Sequence, residues 1–577
     1  MAWQAEVGSG SARATDYRDL LTKLVGFLTS QHVSAVAVNA GGSGYTTGDI
    51  IETNVSGGSE FLKARFEVTA TAGAVTALRL VSSGAFANRA VSAAIGAGGS
   101  GYQVNDILEV EGGAGREKAK FRVTTVSSGA VTAVALFETG GSYTSTPSND
   151  ATTRGVGFDT GVALTNPPTS GSFSGGTGCE LTVTYSGAPP TTGQPTTAVT
   201  GGGTGCTVDL TFTDTGWAVN DDINNSRNTN NEEINSIANE KEVVLVGDAS
   251  GIANKPYVAL RTVTQTDGLD TRYSFQYVGL ITHNPALEVH NQVSRSNGWG
   301  DGNPTSGAYM LCPQNINNDF DFWFSADDIH VSIHLNENPS ANTDDGRYFH
   351  GYFGYIDRVG TESEDPYPYY VFGSAGEADL QPSQASDFIT GIHELRTQDG
   401  FCSFYYATEI PGWRNLVNVD GTAPSYTTDE QEEGMAPVSE PFFYNQGGGL
   451  ISVAENVSLV GGQARQSDFS PVTDVAGRGA SARRIIPTPG TTPRHWLVPL
   501  TIFRGSSSQS IQFNSTTDRI RGQVRGIFWV YNSDASGAQI SNFSEDYIED
   551  DDGTRYRIFH NHLHIERYQY IAVKEDV

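Results

Sequence analysis

A glycine-punctuated repeat constrains this chain more than any other feature. Gly41-Gly42-Ser43-Gly44-Tyr45, followed by Asp49-Ile50-Ile51, returns as Gly98-Gly99-Ser100-Gly101-Tyr102 with Asp106-Ile107-Leu108. Both copies continue into Phe-x-Val (Phe66-Glu67-Val68 and Phe121-Arg122-Val123) and then Gly-Ala-Val-Thr-Ala (Gly73 to Ala77 and Gly129 to Ala133). Glycine supplies positive φ in tight turns, the tyrosine after it can pack back over the turn, and alternating Val, Thr and Phe gives a half-buried strand. Two small β-modules are therefore expected, over residues 35–90 and 91–150. A degenerate copy follows at Gly140-Gly141-Ser142-Tyr143, and Gly-Gly-Thr-Gly-Cys appears twice, at 175–179 and 202–206. Residues 151–216, rich in Gly, Thr and Pro, read as a further β-repeat and linker.

The flanks differ in texture. Over residues 1–34, Leu20, Leu21, Leu24, Phe27 and Leu28 recur at helical spacing through Gly26, with Thr15 or Asp16 placed to cap the helix. Its apolar face needs a cover, either the chain's own β-domain or a neighbouring subunit. The second option makes Leu20, Leu24 and Phe27 interface candidates. From Trp217 onward strands dominate, among them Glu242 to Gly247, Ile329 to Leu335, Tyr348 to Ile356, Trp496 to Phe503, Gly526 to Tyr531 and Tyr556 to Ile565. No long helical pattern separates them, and parallel βαβ units need crossover helices. The expected fold is mainly β and multidomain: a short N-terminal helix, repeated small β-modules, then a large antiparallel or mixed, sandwich-like β-domain over residues 217–577.

Composition narrows the function classes. Of 577 residues, 67 are Gly and 23 Pro, yet 27 Phe, 24 Tyr and 7 Trp supply ample core, so the chain reads as ordered and turn-rich. The 35 Lys and Arg stand against 65 Asp and Glu, a net charge of -30, whereas nucleic-acid binding needs clustered cations to displace counterions. No nucleic-acid partner and no membrane span are expected, since no stretch approaches the 18 or so apolar residues that a span requires. The first residues have neither a basic nor an apolar leader region, so no secretory signal is expected and assembly in a cytosol is. Cys179, Cys206, Cys312 and Cys402 are too scattered for a disulfide framework or a Cys-x-x-Cys metal site, and read as reduced, buried thiols.

Catalytic signatures fail. Gly201 to Gly205 resembles a fragment of a dinucleotide loop, but no helix pattern follows it, and no phosphate-binding, zinc-protease or hydrolase motif is present. His330 and His334 share one strand face, as do His560, His562 and His564, yet neighbours on one face lie about 7 Å apart, too far for a single ion. They read as solvent-facing or satisfied histidines, with a pH-sensitive patch as the functional alternative. The acidic run around Asp550 lacks calcium-loop spacing and reads as a solvated loop. Tyr367, Tyr369 and Tyr370 sit among Pro366 and Pro368, in a segment expected to be extended and outside a regular ladder. It serves either as a loop over its own core or as an intersubunit or sugar-stacking surface. No catalytic residue, metal ligand or cofactor is assigned.

The repeat over about residues 35–145 resembles modules of tailed-bacteriophage virion proteins. Residues 217–577 resemble large phage virion structural proteins in texture, through Phe322-Trp323-Phe324, Tyr352-Phe353-Gly354-Tyr355-Ile356 and Gln523 to Val530. The resemblance implies a virion location in the tail, assembled in the host cytoplasm. It also implies partners that are copies of the chain in a cyclic homo-oligomer and other tail proteins. Tyr45 and Tyr102 of the modules join the interface candidates. A receptor- or carbohydrate-binding appendage contacting host surface glycans is the alternative, and a polysaccharide-degrading enzyme trails because no short-period coil repeat is present.

Overall fold

The computed structural model describes residues 2–7, 11–57, 59–110, 114–143, 150–158, 176–223, 241–248, 255, 257–267, 270–280, 308–310, 319, 321–336, 348–359, 369–373, 413–415, 442–444, 450–452, 495–504, 519–532, 547–550, 552–560 and 570–575. In chain order, strand β1 (Ala2–Glu6) precedes helix α1 (Tyr17–Leu28). The first repeat folds as β2 (Gln31–Ser43), β3 (Ile50–Thr53), β4 (Glu60–Thr71) and β5 (Ala74–Phe86). The second folds as β6 (Ala90–Ser100), β7 (Asp106–Val110), β8 (Lys120–Ser127) and β9 (Ala130–Glu138). Then come β10 (Asp150–Phe158), β11 (Thr177–Tyr185), β12 (Gln194–Ala198) and β13 (Thr204–Asp214).

These last four strands complete the two modules, and completion is nested. The first module is a closed barrel in the order β12-β13-β2-β5-β4-β3, while the second takes the order β6-β11-β10-β7-β8-β9. Under the superposition of repeats the two orders are the same. The whole second module therefore lies between β5 and β12 of the first, and a division at 35–90, 91–150 and 151–216 cuts across both. Entry and exit adjoin: the Ser186 amide donates to the Arg89 carbonyl at 2.8 Å, and the Gly187 amide to Asn88 Oδ1 at 2.9 Å.

The glycine motifs explain this pairing. Gly-Gly-Thr-Gly-Cys runs antiparallel to Gly-Gly-Ser-Gly-Tyr, with Cys206 opposite Gly41 in one module and Cys179 opposite Gly98 in the other. Gly42 and Gly99 take φ of 60° and 59°, and a Cβ on either would fall 2.3 Å from the carbonyl oxygen of Thr204 or Thr177. The tyrosine folds back over the partner strand's glycine. A Cβ at Gly203 would meet the Tyr45 ring at 2.1 Å, and one at Gly176 the Tyr102 ring at 2.4 Å. The Tyr45 hydroxyl accepts from the Cys206 amide at 3.4 Å and that of Tyr102 from the Cys179 amide at 3.2 Å. The degenerate copy repeats the arrangement, with the Tyr143 hydroxyl accepting from the Ala119 amide at 2.7 Å beside Gly140 at φ 59°. Cys179 and Cys206 are reduced and buried, as small apolar side chains in these clasps.

The remaining strands build the larger β-region. One sheet holds β14 (Ala218–Ile223), β15 (Lys241–Val246), β16 (Tyr257–Asp267), β17 (Asp270–Leu280) and β18 (Ala308–Met310). The central sheet, in the order β1-β19-β20-β21-β23-β24, recruits the N-terminal strand β1 beside β19 (Asp321–Ala326), β20 (His330–Asn336) and β21 (Tyr348–Tyr355). The two-residue β22 (Asp357–Arg358) belongs elsewhere, and β23 (Tyr369–Gly373) and β24 (Trp413–Asn415) end the central sheet. A hairpin follows, β25 (Phe442–Tyr444) with β26 (Leu450–Ser452). The C-terminal sheet joins β22, β27 (His495–Arg504), β28 (Arg519–Asn532), β29 (Tyr547–Glu549), β30 (Arg555–His560) and β31 (Tyr570–Lys574). The protein is mainly β with several antiparallel sheets, as its alternating sequence implies.

Helix α1 sits at the centre of this arrangement. Asp16 caps it, its carboxylate accepting from the Asp19 amide at 2.7 Å. Leu20, Leu24 and Phe27 are fully buried in one core with Val243, Leu245, Val258 and Leu260 of β15 and β16 and Phe322, Phe324 and Ile333 of β19 and β20. The interface reading of these three residues is thereby corrected: the chain's own sheets cover them, at about 1.5–3 kcal/mol of burial each. Gly26 is required where Phe61 packs, since a Cβ there would lie 2.2 Å from its ring. Arg89, whose guanidinium sits 4.4 Å from the centroid of that ring, donates to the carbonyls of Gly26 and Gly140 at 3.0 Å each and ties the helix end to the second module. Burial pulls its pKa down to about 10 against the pull of Glu117, so it stays charged at neutral pH.

The clasps predict a graded cost for adding one methyl group. Gly99→Ala should lower unfolding stability by about 3 kcal/mol or more, because a left-handed φ and a backbone clash coincide there. Gly48→Ala, at φ 95° with nothing within 4 Å of the new Cβ, should cost only about 1 kcal/mol in the same denaturant titration.

Candidate functional site

The alternation in β20 would ordinarily give one apolar and one wet face. Val331, Ile333 and Leu335 do enter the helix-centred core. His330, Ser332, His334 and Asn336 are nevertheless buried as well, so both faces are covered. Trp323 and Ser325 of β19 and His350 and Tyr352 of β21 extend this polar face, and Phe559 of β30 and Arg525 of β28 pack onto it from the C-terminal sheet. His330, His334 and His350 thus lie buried together on this face.

Two polar centres result. In the first, the Asp327 carboxylate accepts from the Ile329 and His330 amides at 2.9 Å each, contacts His330 Nδ1 at 2.8 Å and pairs with Arg525 at 3.2 Å. Burial pushes this carboxyl up, but His330, Arg525 and the Ile329 amide outweigh it and hold the group well below the usual carboxylate range. Trp217 Nε1 donates to the Asp327 carbonyl at 2.7 Å, which fixes the start of the larger β-region over the same turn. Tyr352 stacks near His330 at 5.5 Å and donates to the Tyr355 carbonyl; burial, with Asp327 nearby, pushes its phenol well above the ordinary value.

In the second centre, His334 and His350 stand opposite each other in register with their Nδ1 atoms 2.9 Å apart. His334 Nε2 lies 3.2 Å from Ser332 Oγ. The Phe559 ring stacks on His334 at 4.7 Å and 14°, meets His350 at 5.6 Å and abuts Trp323 at 4.9 Å. Burial, and then His350, depress the His334 pKa well below its ordinary value. Such a pair can pass or share a proton but offers no third ligand. Among the described residues no group of three or more His, Cys, Asp or Glu converges as a metal site would.

The other sequence candidates fall into place separately. Tyr45 and Tyr102 are 4% and 3% exposed, so the clasps consume them and they present no contact surface, which corrects their interface assignment. Tyr369 and Tyr370 begin β23, which is laddered between β21 and β24. This corrects the expectation of a segment outside a ladder: Pro366 and Pro368 precede the strand and leave its amides free to donate. Tyr367, His562 and His564 lie outside the described residues, and His560 ends β30 opposite Tyr570. Asp550 uses its carboxylate to accept the Asp552 and Thr554 amides at 3.0 and 2.8 Å, as the turn between β29 and β30. His350 and Phe559 escape sequence reasoning because only strand register and sheet packing bring them to His334.

The chain matches no protein-family model and no curated protein sequence.

Asp327→Asn tests the first centre. A depressed carboxylate contributes stability that is fully present above its unfolded pKa and lost as pH falls through the folded one. The substitution should therefore cost about 2–3 kcal/mol throughout pH 5–7, and progressively less below about pH 4, in denaturant unfolding monitored by tryptophan fluorescence.

Proposed function

We propose that this chain is a structural subunit of a tailed-bacteriophage virion, a tail component such as a wall, sheath, collar or baseplate ring, that assembles with copies of itself and with other tail proteins. The observation that carries the reading is the pair of nested, identically ordered β-modules built from the Gly-Gly-Ser-Gly-Tyr repeat whose sequence resembles virion modules. The described chemistry also fits a structural part. Its buried imidazoles stack on and pair with residues of neighbouring strands, and the partly exposed Asp327 carboxylate is engaged by its own turn and by Arg525, contacts that organise packing. Closure of the first barrel leaves no free strand edge there, which suits a protein held at high local concentration. A cyclic ring needs two different patches per subunit, each large enough for a stable interface.

Charge makes the proposal quantitative. Copies carrying a net charge of -30 repel one another, and screening shortens the reach of that repulsion from about 30 Å at 0.01 M salt to about 8 Å at 0.15 M. Light scattering and negative-stain imaging of the full chain should show rings or tubes of uniform diameter that form more readily at the higher salt and at higher protein concentration. A monodisperse monomer under all these conditions would overturn the reading. A compact trimer that binds host cells would overturn it in favour of a glycan-binding appendage.

A further inference from the structure

We propose that the His334–His350 pair is an acid-sensitive latch that holds the C-terminal sheet, through Phe559, against the central sheet. The argument begins with donor counting. At 2.9 Å between Nδ1 atoms, one ring must donate a proton and the other must accept with its lone pair. Protonating both rings places two N–H groups face to face, so the pair keeps its contact with at most one imidazolium. Both side chains are buried, and the depressed His334 pKa agrees with a site that resists the charge.

The described acids near the pair are engaged elsewhere. From β19 the pair faces Trp323 and Ser325, and from β20 it faces Ser332. Asp327 and His330 lie farther along the same face, where Arg525 of β28 engages Asp327. Asp321, at the start of β19, pairs with Arg13 at 2.7 Å. β21 adds Tyr352, whose hydroxyl is committed to Tyr355. On β30 the pair meets Phe559, while Arg555 and Arg557 are held by Glu549 and Glu575 at 2.9 Å each. Each described acid near the pair thus has a cation of its own.

Opening the interface returns both rings to water, where they take up protons near their ordinary pKa of about 6.5. By linkage the opening equilibrium should rise about tenfold per pH unit for each proton gained, hence between about tenfold and a hundredfold per unit below pH 6. The latch is stable above the unfolded pKa, the sign expected when burial depresses a histidine.

Hydrogen exchange of β30 amides in the full-length chain, corrected for intrinsic exchange and followed from pH 7.5 to 5, reads this directly. The wild type should open at least tenfold more per unit below pH 6, and the His334→Gln/His350→Gln variant should lose that dependence. Protection of β30 that is independent of pH in the wild type, or the same slope in the variant, would overturn the latch. Should the variant fail to fold, nitrogen spectra of histidine-labelled wild type decide. One protonated and one bare Nδ1 at pH 7.5, both protonated across the opening step, are expected; Nδ1 signals unchanged across that step would overturn it.

Discussion

The hydrogen bond from a cysteine amide to a tyrosine hydroxyl across paired glycine strands is the contact on which both small modules depend. The Tyr45 and Tyr102 rings can reach Cys206 and Cys179 only because glycine stands beneath them, and the kinks at Gly42 and Gly99 can form only at positive φ. Ring burial, amide satisfaction and backbone curvature are therefore one requirement met by one motif. Its third version around Tyr143 shows which parts are essential. The hydroxyl acceptor and the φ of 59° at Gly140 persist, while Ser142 at φ 51° occupies the place of Gly44 and Gly101.

A second constraint acts in the larger β-region, where both faces of the central sheet are buried at β19 and β20. Its helix side is aliphatic and aromatic, and its other side is polar but equally buried. Burying polar groups is costly unless each finds a partner. The partners come from other strands and from other sheets: Arg525 for Asp327, His350 on the neighbouring strand for His334, the Asp327 carbonyl for Trp217. Hydrophobic packing on one side and directional pairing on the other fix the sheet's position between its neighbours. The N-terminal strand β1 belongs to this sheet and also rests on the first barrel, where Ser83 Oγ donates to the Trp3 carbonyl at 2.8 Å and Arg65 pairs with Glu6 at 3.0 Å.

Much of this was legible in the residues, for local reasons. The repeat, the capped helix with its leucine stripe, the paired cysteines as small buried side chains and the β-rich remainder all follow from short-range pattern. What was not legible depends on long-range pairing. Similar glycine motifs in a row look like tandem units, yet Gly-Gly-Ser-Gly-Tyr and Gly-Gly-Thr-Gly-Cys are the two sides of one clasp, separated by the rest of the chain. Likewise, Ile329 to Leu335 alternates as a half-exposed strand does. Only the arrival of Phe559 and Arg525 from far along the sequence turns its histidines inward.

The nesting of one module inside another has a consequence for synthesis. Strands β2 to β5 leave the ribosome well before β12 and β13, so the outer barrel waits, open along two edges, while the inner module is completed. The inner module, with its ends already hydrogen-bonded through Arg89 and Ser186, forms a closed loop that brings the late strands back to their seats. Once folded, it shortens the gap that the outer barrel must span, much as a staple shortens a loop. The inserted copy thus serves as a folding aid for the copy that contains it.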